Sequence, residues 1–453
     1  MLVDDQPAYP MSCFFMIKLR GGFSVSVFEA ALQQALVNHP FLTSSVTEAN
    51  GQFHWQNTEK MPDVIRLPLD KERRFPISKG IHLFREPALK VAICNENTDP
   101  EKVELDGRTN ITFEVHHSAS DAAGIVRFIE DILCEYARLT GFADTERESI
   151  EPALLVRRGI FGQKRGTILR ILAERFCGLR RAWKFLMHRI VPLTPKKPDR
   201  DTAMPAVDYP AILHRDLTAR ETQSVQQKAK QFGVTINDLF LCAAFFAMKN
   251  WREQHVTDAR RGYFRIALPI NLRTPADDRM PAANIVSMVF LDRKPTEIRD
   301  SQSLYRSVYL ETQHVKRYNL GWTFIRGLTI YQRIFGSFRK MVQQDRCWAT
   351  ATVTNLGRLF ADIPLPKREE RVQVDTSLEL IGVEASPPVR PWTALGIGVL
   401  TYAGCMTINL HYDSAVLTHS DAQSILDSIT NDCTSLHTAN KFGFSVPPAQ
   451  AGG

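Results

Sequence analysis

A strand pattern that runs directly into two histidines and then into a helix most constrains the fold of this chain. Residues 110–116 alternate apolar and polar side chains and are rich in β-branched residues, which predicts a half-buried strand. Residues 122–139 carry apolar side chains at helical spacing. His116 and His117 end the strand, and Asp121 stands where the helix begins. A strand that leads into an amphipathic helix needs a sheet to pack on, so we expect an α/β architecture.

The adjacent histidines cannot face the same side of a sheet, because successive strand residues point to opposite faces. One imidazole can therefore face a cleft, where its ordinary pKa near ~6.5 suits general-base chemistry. Asp121, at the turn into the helix, can brace the loop that holds this ring. A chance pairing of histidines is one alternative. A metal site is another, but adjacent strand residues diverge too far to share an ion and no third ligand stands nearby, so we predict no metal.

The rest of the chain shows the same mixture of strands and helices in two halves. In the first half the pattern predicts strands at 11–19, 41–46 and 89–94 and a helix from Ser26 to Asn38. In the second half it predicts strands at 211–217, 264–269, 285–291, 349–355, 394–403 and 406–412, and helices at 218–232, 235–251, 303–315 and 418–433. We therefore predict a subdomain at 1–150, a helical connector at 151–205 and a subdomain at 206–453.

Sequence motifs resemble those of one superfamily of enzymes. His116-His117-x-x-x-Asp121, followed by Gly124, resembles the HHxxxDG signature of the chloramphenicol-acetyltransferase-like superfamily. That superfamily includes nonribosomal-peptide condensation domains, alcohol acetyltransferases and wax ester synthase/diacylglycerol acyltransferases. Four further segments resemble family motifs and occur in the family's order, so the resemblance extends over nearly the whole chain: 28–42 (with the HPxL ending), 235–239 (TxND), 269–273 and 353–358.

The resemblance implies an α/β (α+β) fold of two chloramphenicol-acetyltransferase-like subdomains, each a mixed sheet flanked by helices, around a central channel. It implies that His117 is the general base of an acyltransferase. The base would remove a proton from an alcohol or amine, which then attacks an acyl thioester. No cofactor would be bound permanently, and acyl-CoA or a phosphopantetheine-linked acyl thioester on a carrier protein would be the co-substrate.

The resemblance also assigns residues around the base. It implies that Asp121 is structural and pairs with an arginine, for which Arg273 is the candidate, and that His116 and Gly124 are structural as well. The residues that we consider for substrate contact are Thr354, Asn355 and Asn284.

The chain departs from the family pattern at three points. The glycine that usually follows the aspartate is Ala122, which would be strained if that position needs a positive φ. The arginine that often follows HPxL in condensation domains is Thr43, which leaves Arg20 as a second candidate partner of Asp121. The DFGWG motif of plant BAHD acyltransferases is absent from the sequence, which argues against that branch.

One segment carries a larger net positive charge than the +7 of the whole chain, so the rest of the chain is slightly acidic. Residues 157–200 contain thirteen lysines and arginines against only Glu174 and Asp199, and their apolar residues are spaced as in a basic amphipathic helix. Three interpretations stay open: a solvated bridge between the subdomains, a helix on an anionic membrane surface, and a docking surface for coenzyme A phosphates or an acidic carrier protein. No motif supports nucleic-acid binding, which we do not predict.

Other sequence features bear on location. The eight cysteines are scattered without a Cys-x-x-Cys pair, which is typical of free thiols in a reducing compartment. The first residues do not form a signal peptide pattern, and the longest apolar stretch, 239–248, is about half of a membrane span. We expect a cytoplasmic protein, with a peripheral position at a membrane as the alternative.

The sequence therefore predicts an acyltransferase that moves an acyl group from a thioester to an alcohol or amine. A free-standing condensation domain that takes its donor from a carrier protein is one alternative. A scaffold that has kept the fold and lost turnover is another, since Ala122 departs from the motif.

Overall fold

Two mixed β-sheets, each covered by helices, form the framework of the protein. The computed structural model describes residues 1–58, 60–70, 75–96, 107–143, 149–159, 168–198, 202–336, 341 and 344–435. The strands are β1 Ser12–Gly21, β2 Ser44–Ala49, β3 Gln52–Asn57, β4 Asp63–Pro68, β5 Leu89–Asn95, β6 Arg108–His116, β7 Ile212–Asp216, β8 Phe264–Asn271, β9 Val286–Arg293, β10 Ala351–Arg358, β11 Lys367–Arg368, β12 Arg371–Val372, β13 Leu378–Ser386, β14 Leu395–Tyr402 and β15 Cys405–Tyr412. The helices are α1 Val25–Val37, α2 Ala122–Leu139, α3 Ile168–Met187, α4 Ala219–Phe232, α5 Ile236–His255, α6 Ser301–Arg317, α7 Trp322–Phe335 and α8 His419–Thr434.

The first sheet has the order β13-β1-β6-β5-β4. Neighbouring strands in this sheet are antiparallel, except for β4 and β5, which run parallel to each other. Helices α1 and α2 bury their apolar faces on it, and Phe28, Phe113 and Phe128 are among the side chains of this core. The strand β6 lies in the middle of the sheet, so His116, its last residue, and His117, which follows it, are held at a fixed position.

The second sheet has the order β7-β15-β14-β10-β8-β9. The central strands β14, β10 and β8 run parallel, and the outer pairs are antiparallel. Helices α4, α5 and α8 contribute side chains to its core. The TxND motif has a structural role here: Thr235 caps α5 by accepting from the Asp238 backbone N–H, and the Asp238 carboxylate accepts from the Thr235 N–H.

The predicted mixed α/β fold, with two mixed sheets flanked by helices, is confirmed. Several element bounds differ from the prediction. Helix α1 is capped by Ser24 and not by Ser26, and the predicted strand at 41–46 begins only at Ser44, after a short 3-10 turn at Pro40–Leu42. Strands β4 and β13 and helix α7 were not predicted, because their apolar residues do not alternate cleanly or are largely exposed.

One strand of the second half completes the sheet of the first half. Strand β13 pairs with β1, and residues 359–385 contribute side chains to the core of the first sheet. The two sheets also meet closely at this strand, since a Cβ added to Gly398 of β14 would lie 2.5 Å from the Ala385 carbonyl oxygen. The division at 1–150, 151–205 and 206–453 stays a prediction, to which the topology adds this exchange of one strand.

Within the described part of the chain, no single helix has both the length and the apolar character of a bilayer span. Helices α4 and α5, which meet at a bend of 95°, satisfy that test only as a pair.

We predict that Leu380→Ala, in the exchanged strand, destabilises the protein by about 2–5 kcal/mol, because Leu380 is fully buried in the core of the first sheet. Leu310→Ala in α6 is the matched control: Leu310 is exposed, and its truncation should change the free energy of unfolding by less than about 0.5 kcal/mol. Urea unfolding measures both. Equal, small effects would show that β13 contributes little to the first sheet.

Candidate active site

His117 is the first residue after β6, where the chain turns towards α2. Its backbone N–H donates to the Met11 carbonyl oxygen at 2.6 Å, and its Nδ1 lies 3.0 Å from the Ser120 carbonyl oxygen. A carbonyl oxygen can only accept, so Nδ1 carries the proton and donates to it. In the neutral ring the lone pair is then on Nε2, which makes no hydrogen bond to any described residue. The partly exposed side chain is thus held as the tautomer that a general base needs.

Burial lowers the pKa of His117 below its ordinary value of 6.5. The hydrogen bond to Ser120 and the nearby Asp121 carboxylate oppose this effect, but the pKa stays lowered. Burial disfavours the charged imidazolium because it removes water from around the ring. The ring is therefore neutral at neutral pH and able to accept a proton.

Asp121 links the first subdomain to the second. It caps α2, with its Oδ1 accepting from the Gly124 N–H at 3.0 Å. Its Oδ2 accepts from Arg273 Nη1 and from the Ile285 N–H, both at 2.7 Å. Arg273 is oriented by Asn271, whose Oδ1 accepts from the Arg273 N–H at 3.0 Å. The predicted ion pair between Asp121 and Arg273 is therefore present, and Asp121 is almost fully buried within it.

Residues 282–285, which we call the docking segment, form the contact on the other side. The Ala282 N–H donates to His39, and the Ile285 N–H donates to Asp121. The Asn284 side chain donates to the His117 carbonyl oxygen, and the Asn284 carbonyl oxygen accepts from Arg158 of the connector. The Asp121 N–H donates to the Ala283 carbonyl oxygen at 3.3 Å, and Arg273 Nη2 donates to the same oxygen at 2.8 Å. The segment follows β8 and leads into β9, so the second sheet fixes its position.

Gly124 is required by close packing and not by its backbone angles. A Cβ at this position would lie 2.4 Å from Ser120 Oγ, 2.9 Å from the Ala283 nitrogen and 3.1 Å from the Ala282 Cα. Ala122 is the first residue of α2 and is not among the residues with positive φ. The condition under which Ala122 would be strained is therefore not met, because its φ is not positive.

His116 and Arg20 are placed away from the reacting position. His116 is fully buried, its Nδ1 accepts from the Ser118 N–H at 3.2 Å, and its Nε2 lies 3.5 Å from an Asp5 carboxylate oxygen. The two histidines thus have different surroundings. Arg20 pairs with Glu379 of β13, so it is not the partner of Asp121.

The three residues considered for substrate contact are in different positions. Asn284 is beside the base: its Nδ2 donates to the His117 carbonyl oxygen at 2.5 Å, and its approach to Nδ1 at 3.4 Å is a contact, because Nδ1 is already a donor. Thr354 and Asn355 are on β10 and partly exposed. Asn355 Oδ1 accepts from the Gly357 N–H at 2.9 Å, and no hydrogen bond of the described residues joins either side chain to His117. Their contact with substrate stays a prediction.

His39 is a buried link that the sequence did not reveal as part of the site. Its Nδ1 accepts from the Ala282 N–H at 2.8 Å, so its Nε2 carries the proton and donates to Asp131 of α2 at 2.8 Å. It therefore joins the end of α1, helix α2 and the docking segment. The HPxL resemblance included this position, but the sequence assigned the His39-Pro40 pair only the role of ending helix α1. It did not indicate the hydrogen bonds of the His39 side chain.

Arg158 is the second residue that the sequence did not reveal. Its Nη2 donates to the Ser118 carbonyl oxygen at 2.6 Å, and its Nε lies 3.4 Å from the Asn284 carbonyl oxygen. Its guanidinium lies over the Phe41 ring at 4.8 Å, and burial lowers its pKa. One arginine of the basic connector thus holds the loop of the base, which a count of charges along the segment could not indicate.

Among the described residues, no group of three or more His, Cys, Asp or Glu side chains is arranged to hold a metal ion. The eight cysteines are free thiols, and none of the contacts described above involves one of them.

We predict that Gly124→Ala destabilises the protein by about 1–3 kcal/mol, because the added methyl must displace backbone atoms of the docking segment. Gly327→Ala, in α7, is the matched control: its added Cβ meets nothing within 4 Å, so the helix should gain up to about 1 kcal/mol. Thermal or urea unfolding measures both. A neutral Gly124→Ala would contradict the close packing described here.

Comparison with known proteins identifies structures that have the same fold as this chain. No protein-family model matches the sequence, and no curated protein sequence matches it. Solved structures do match. The trichothecene 15-O-acetyltransferase of Fusarium sporotrichioides is similar over 96% of this chain and 92% of its own, with a TM-score of 0.68 and 14% identity.

Two condensation domains are similar as well. The first condensation domain of the calcium-dependent antibiotic synthetase has a TM-score of 0.62 and 14% identity, over 94% of this chain and 91% of its own. The starter condensation domain of rhizomide synthetase, solved with C8-CoA and Leu-SNAC, has a TM-score of 0.62 and 14% identity, over 95% of this chain and 90% of its own. This chain therefore has the two-subdomain, chloramphenicol-acetyltransferase-like fold that these acetyltransferase and condensation domains share.

Proposed function

We propose that the protein is an acyltransferase that moves an acyl group from a thioester to a hydroxyl or amine, with His117 as general base. The observation that carries this proposal is the hydrogen bond from His117 Nδ1 to the Ser120 carbonyl oxygen, at 3.0 Å. It leaves the lone pair on Nε2, in a ring whose lowered pKa keeps it neutral.

In the proposed reaction, His117 Nε2 removes the proton of the acceptor as its oxygen or nitrogen attacks the thioester carbonyl carbon. The carbonyl π bond opens to a tetrahedral oxyanion. The oxyanion then collapses to a carbonyl and the carbon–sulfur bond breaks. The departing thiolate receives the acceptor's proton from the His117 imidazolium. No acyl-enzyme forms, so the chain needs no nucleophile, and the rate gain comes from proximity and proton transfer.

Asp121 and Arg273 are positioning residues in this proposal. They hold the docking segment against the loop that carries the base, and Asn284 of that segment bonds to the His117 backbone. Arg158 fixes the same loop from the connector through Ser118. A base that is held by both subdomains keeps its position when substrates enter.

The structurally similar proteins support a thioester donor and an alcohol or amine acceptor, but they do not favour one donor or one acceptor over the other. One is an O-acetyltransferase, and one condensation domain was solved with an acyl-CoA and an aminoacyl thioester analogue. We propose acyl-CoA as the donor, and a carrier-bound acyl thioester, as in a condensation domain, as the second candidate. Neither donor is a permanently bound cofactor. The unstrained Ala122 removes the sequence argument for an inactive scaffold. The cytoplasmic location stays a prediction.

We expect the purified protein to release free thiol from acyl-CoA in the presence of an alcohol or amine, and His117→Ala to lower that rate by about 10²–10⁴-fold through loss of the base. The measurement is thiol release with acyl-CoAs of several chain lengths against a panel of acceptors, and ester or amide formation by mass spectrometry.

His54→Ala, at an exposed position of β3, is the matched control and should keep full activity. A second arm supplies the same acyl groups on a phosphopantetheinylated carrier protein, which separates the two donors. Turnover that persists unchanged in His117→Ala would overturn the proposed role of the base.

The lowered pKa of His117 sets the expected pH dependence. Only the neutral ring can accept a proton, so kcat/KM should reach a plateau above the pKa of His117 in the folded enzyme and fall about tenfold per pH unit below it. The acid limb should therefore have its midpoint below pH 6.5. An acid limb centred above pH 7 would contradict the tautomer and burial assigned to this ring.

A further inference from the structure

We propose that helices α3 and α7 together form a binding surface for a membrane that contains anionic phospholipid. This inference is independent of the acyl-transfer reaction, because it concerns a face of the protein that includes none of the residues placed around His117.

The two helices expose an unusual amount of apolar surface. Eight of the twenty large apolar side chains that are exposed in the described residues lie on them, each between 56 and 72% exposed. A monomer in water rarely keeps such a cluster open unless it binds something. They are Phe176, Leu179, Trp183, Leu186, Met187, Ile330, Ile334 and Phe335.

The two helices are neighbours in space. A Cβ added to Gly178 of α3 would lie 3.2 Å from Thr323 Oγ1 of α7, and the Phe185 and Phe324 rings are 6.3 Å apart. Between the helices and β9 lies a cavity of about 230 Å³ with a largely apolar wall. The exposed residues therefore lie on two helices that pack against each other, and a largely apolar cavity lies between these helices and the sheet.

The charge of this surface identifies its occupant. Helix α3 contains five basic residues and one acidic residue, and α7 contains two basic and no acidic residues. The exposed cations within the described side chains are Arg175, Arg180, Lys184, Arg326 and Arg333. Aromatic and aliphatic side chains surrounded by cations are the composition of helices that lie in the plane of an anionic bilayer.

A second copy of the chain is a poorer partner for the same surface. A two-fold interface would place this cationic face against itself, and like charges brought together repel. A neutral apolar partner would leave the cations without counter-charges. Anionic lipid satisfies both parts of the surface at once, because headgroups meet the cations while the acyl region receives the apolar side chains.

The test is flotation of the full-length protein with phosphatidylcholine vesicles that contain or lack phosphatidylserine. We expect binding to the anionic vesicles and weaker binding to the neutral ones. Binding to the anionic vesicles should be lost at ~1 M salt, because the Debye length is about 10 Å at ~0.1 M and only about 3 Å at ~1 M. Trp183→Glu combined with Ile334→Glu should weaken binding by roughly tenfold or more, since it places charges in the apolar part. Arg180→Glu combined with Arg333→Glu should weaken it by at least about fivefold for each cation lost.

Val37→Glu is the matched control: Val37 is an exposed apolar residue of α1, and its substitution should leave vesicle binding unchanged. All these positions are exposed, and thermal unfolding checks that each variant is folded. His117→Ala should bind vesicles like the unaltered protein, which separates this proposal from the proposed reaction.

Three results would overturn the proposal. One is failure of the unaltered protein to float with anionic vesicles. Another is equal binding by the Trp183→Glu, Ile334→Glu variant. The third is a solution dimer that this variant dissociates, without vesicle binding, because the surface would then be an interface between copies of the chain.

Discussion

The buried carboxylate of Asp121 is the contact on which the arrangement of the site depends. It accepts from three groups at once: the first turn of its own helix, Arg273 and the backbone of the docking segment. A buried ion pair adds little net stability, but removing one partner costs ~3–5 kcal/mol, because the other charge is left without compensation. The value of this pair is therefore positional. It fixes the loop of one subdomain to one segment of the other, and the base is on that loop.

Two further contacts reinforce the same junction from different directions. His39 approaches from the end of α1, and Arg158 approaches from the connector. Each donates to or accepts from backbone groups of the loop or of the docking segment, so each resists sliding of the subdomains. Because these bonds end on backbone atoms, they constrain the path of the chain and do not depend on the identity of the residues that they reach.

Periodicity and capping patterns predicted most of the fold. The strand β6 and the helix α2 follow from local alternation and spacing, which buried elements with one apolar face display clearly. The architecture of two mixed sheets flanked by helices was implied by the family resemblance. Strand β13 escaped prediction because Ile381 and Gly382 interrupt the alternation of its apolar residues. Helix α7 was not predicted because its apolar residues continue around to its solvent-exposed side.

The candidate site also contains residues that the sequence indicated and residues that it did not. The histidine that could serve as base and its aspartate were indicated by residue type and offset, and the arginine partner came from the resemblance. The roles of His39 and Arg158 depend on backbone carbonyl and N–H groups of distant segments, which no side-chain pattern reports. The reason for Gly124 also lies outside its own segment, in the backbone of residues 282–283.

The exchanged strand has a consequence for the order in which the protein can be assembled during translation. Strand β1 needs β13 on one edge, yet about 350 residues separate them, which corresponds to tens of seconds of synthesis at ~5–20 residues per second. During that interval the backbone N–H and C=O groups along one edge of residues 12–19 have no native partner, and unpaired edges recruit other strands. We therefore expect the nascent first sheet to stay open to non-native strand pairing until residue 386 has left the ribosome.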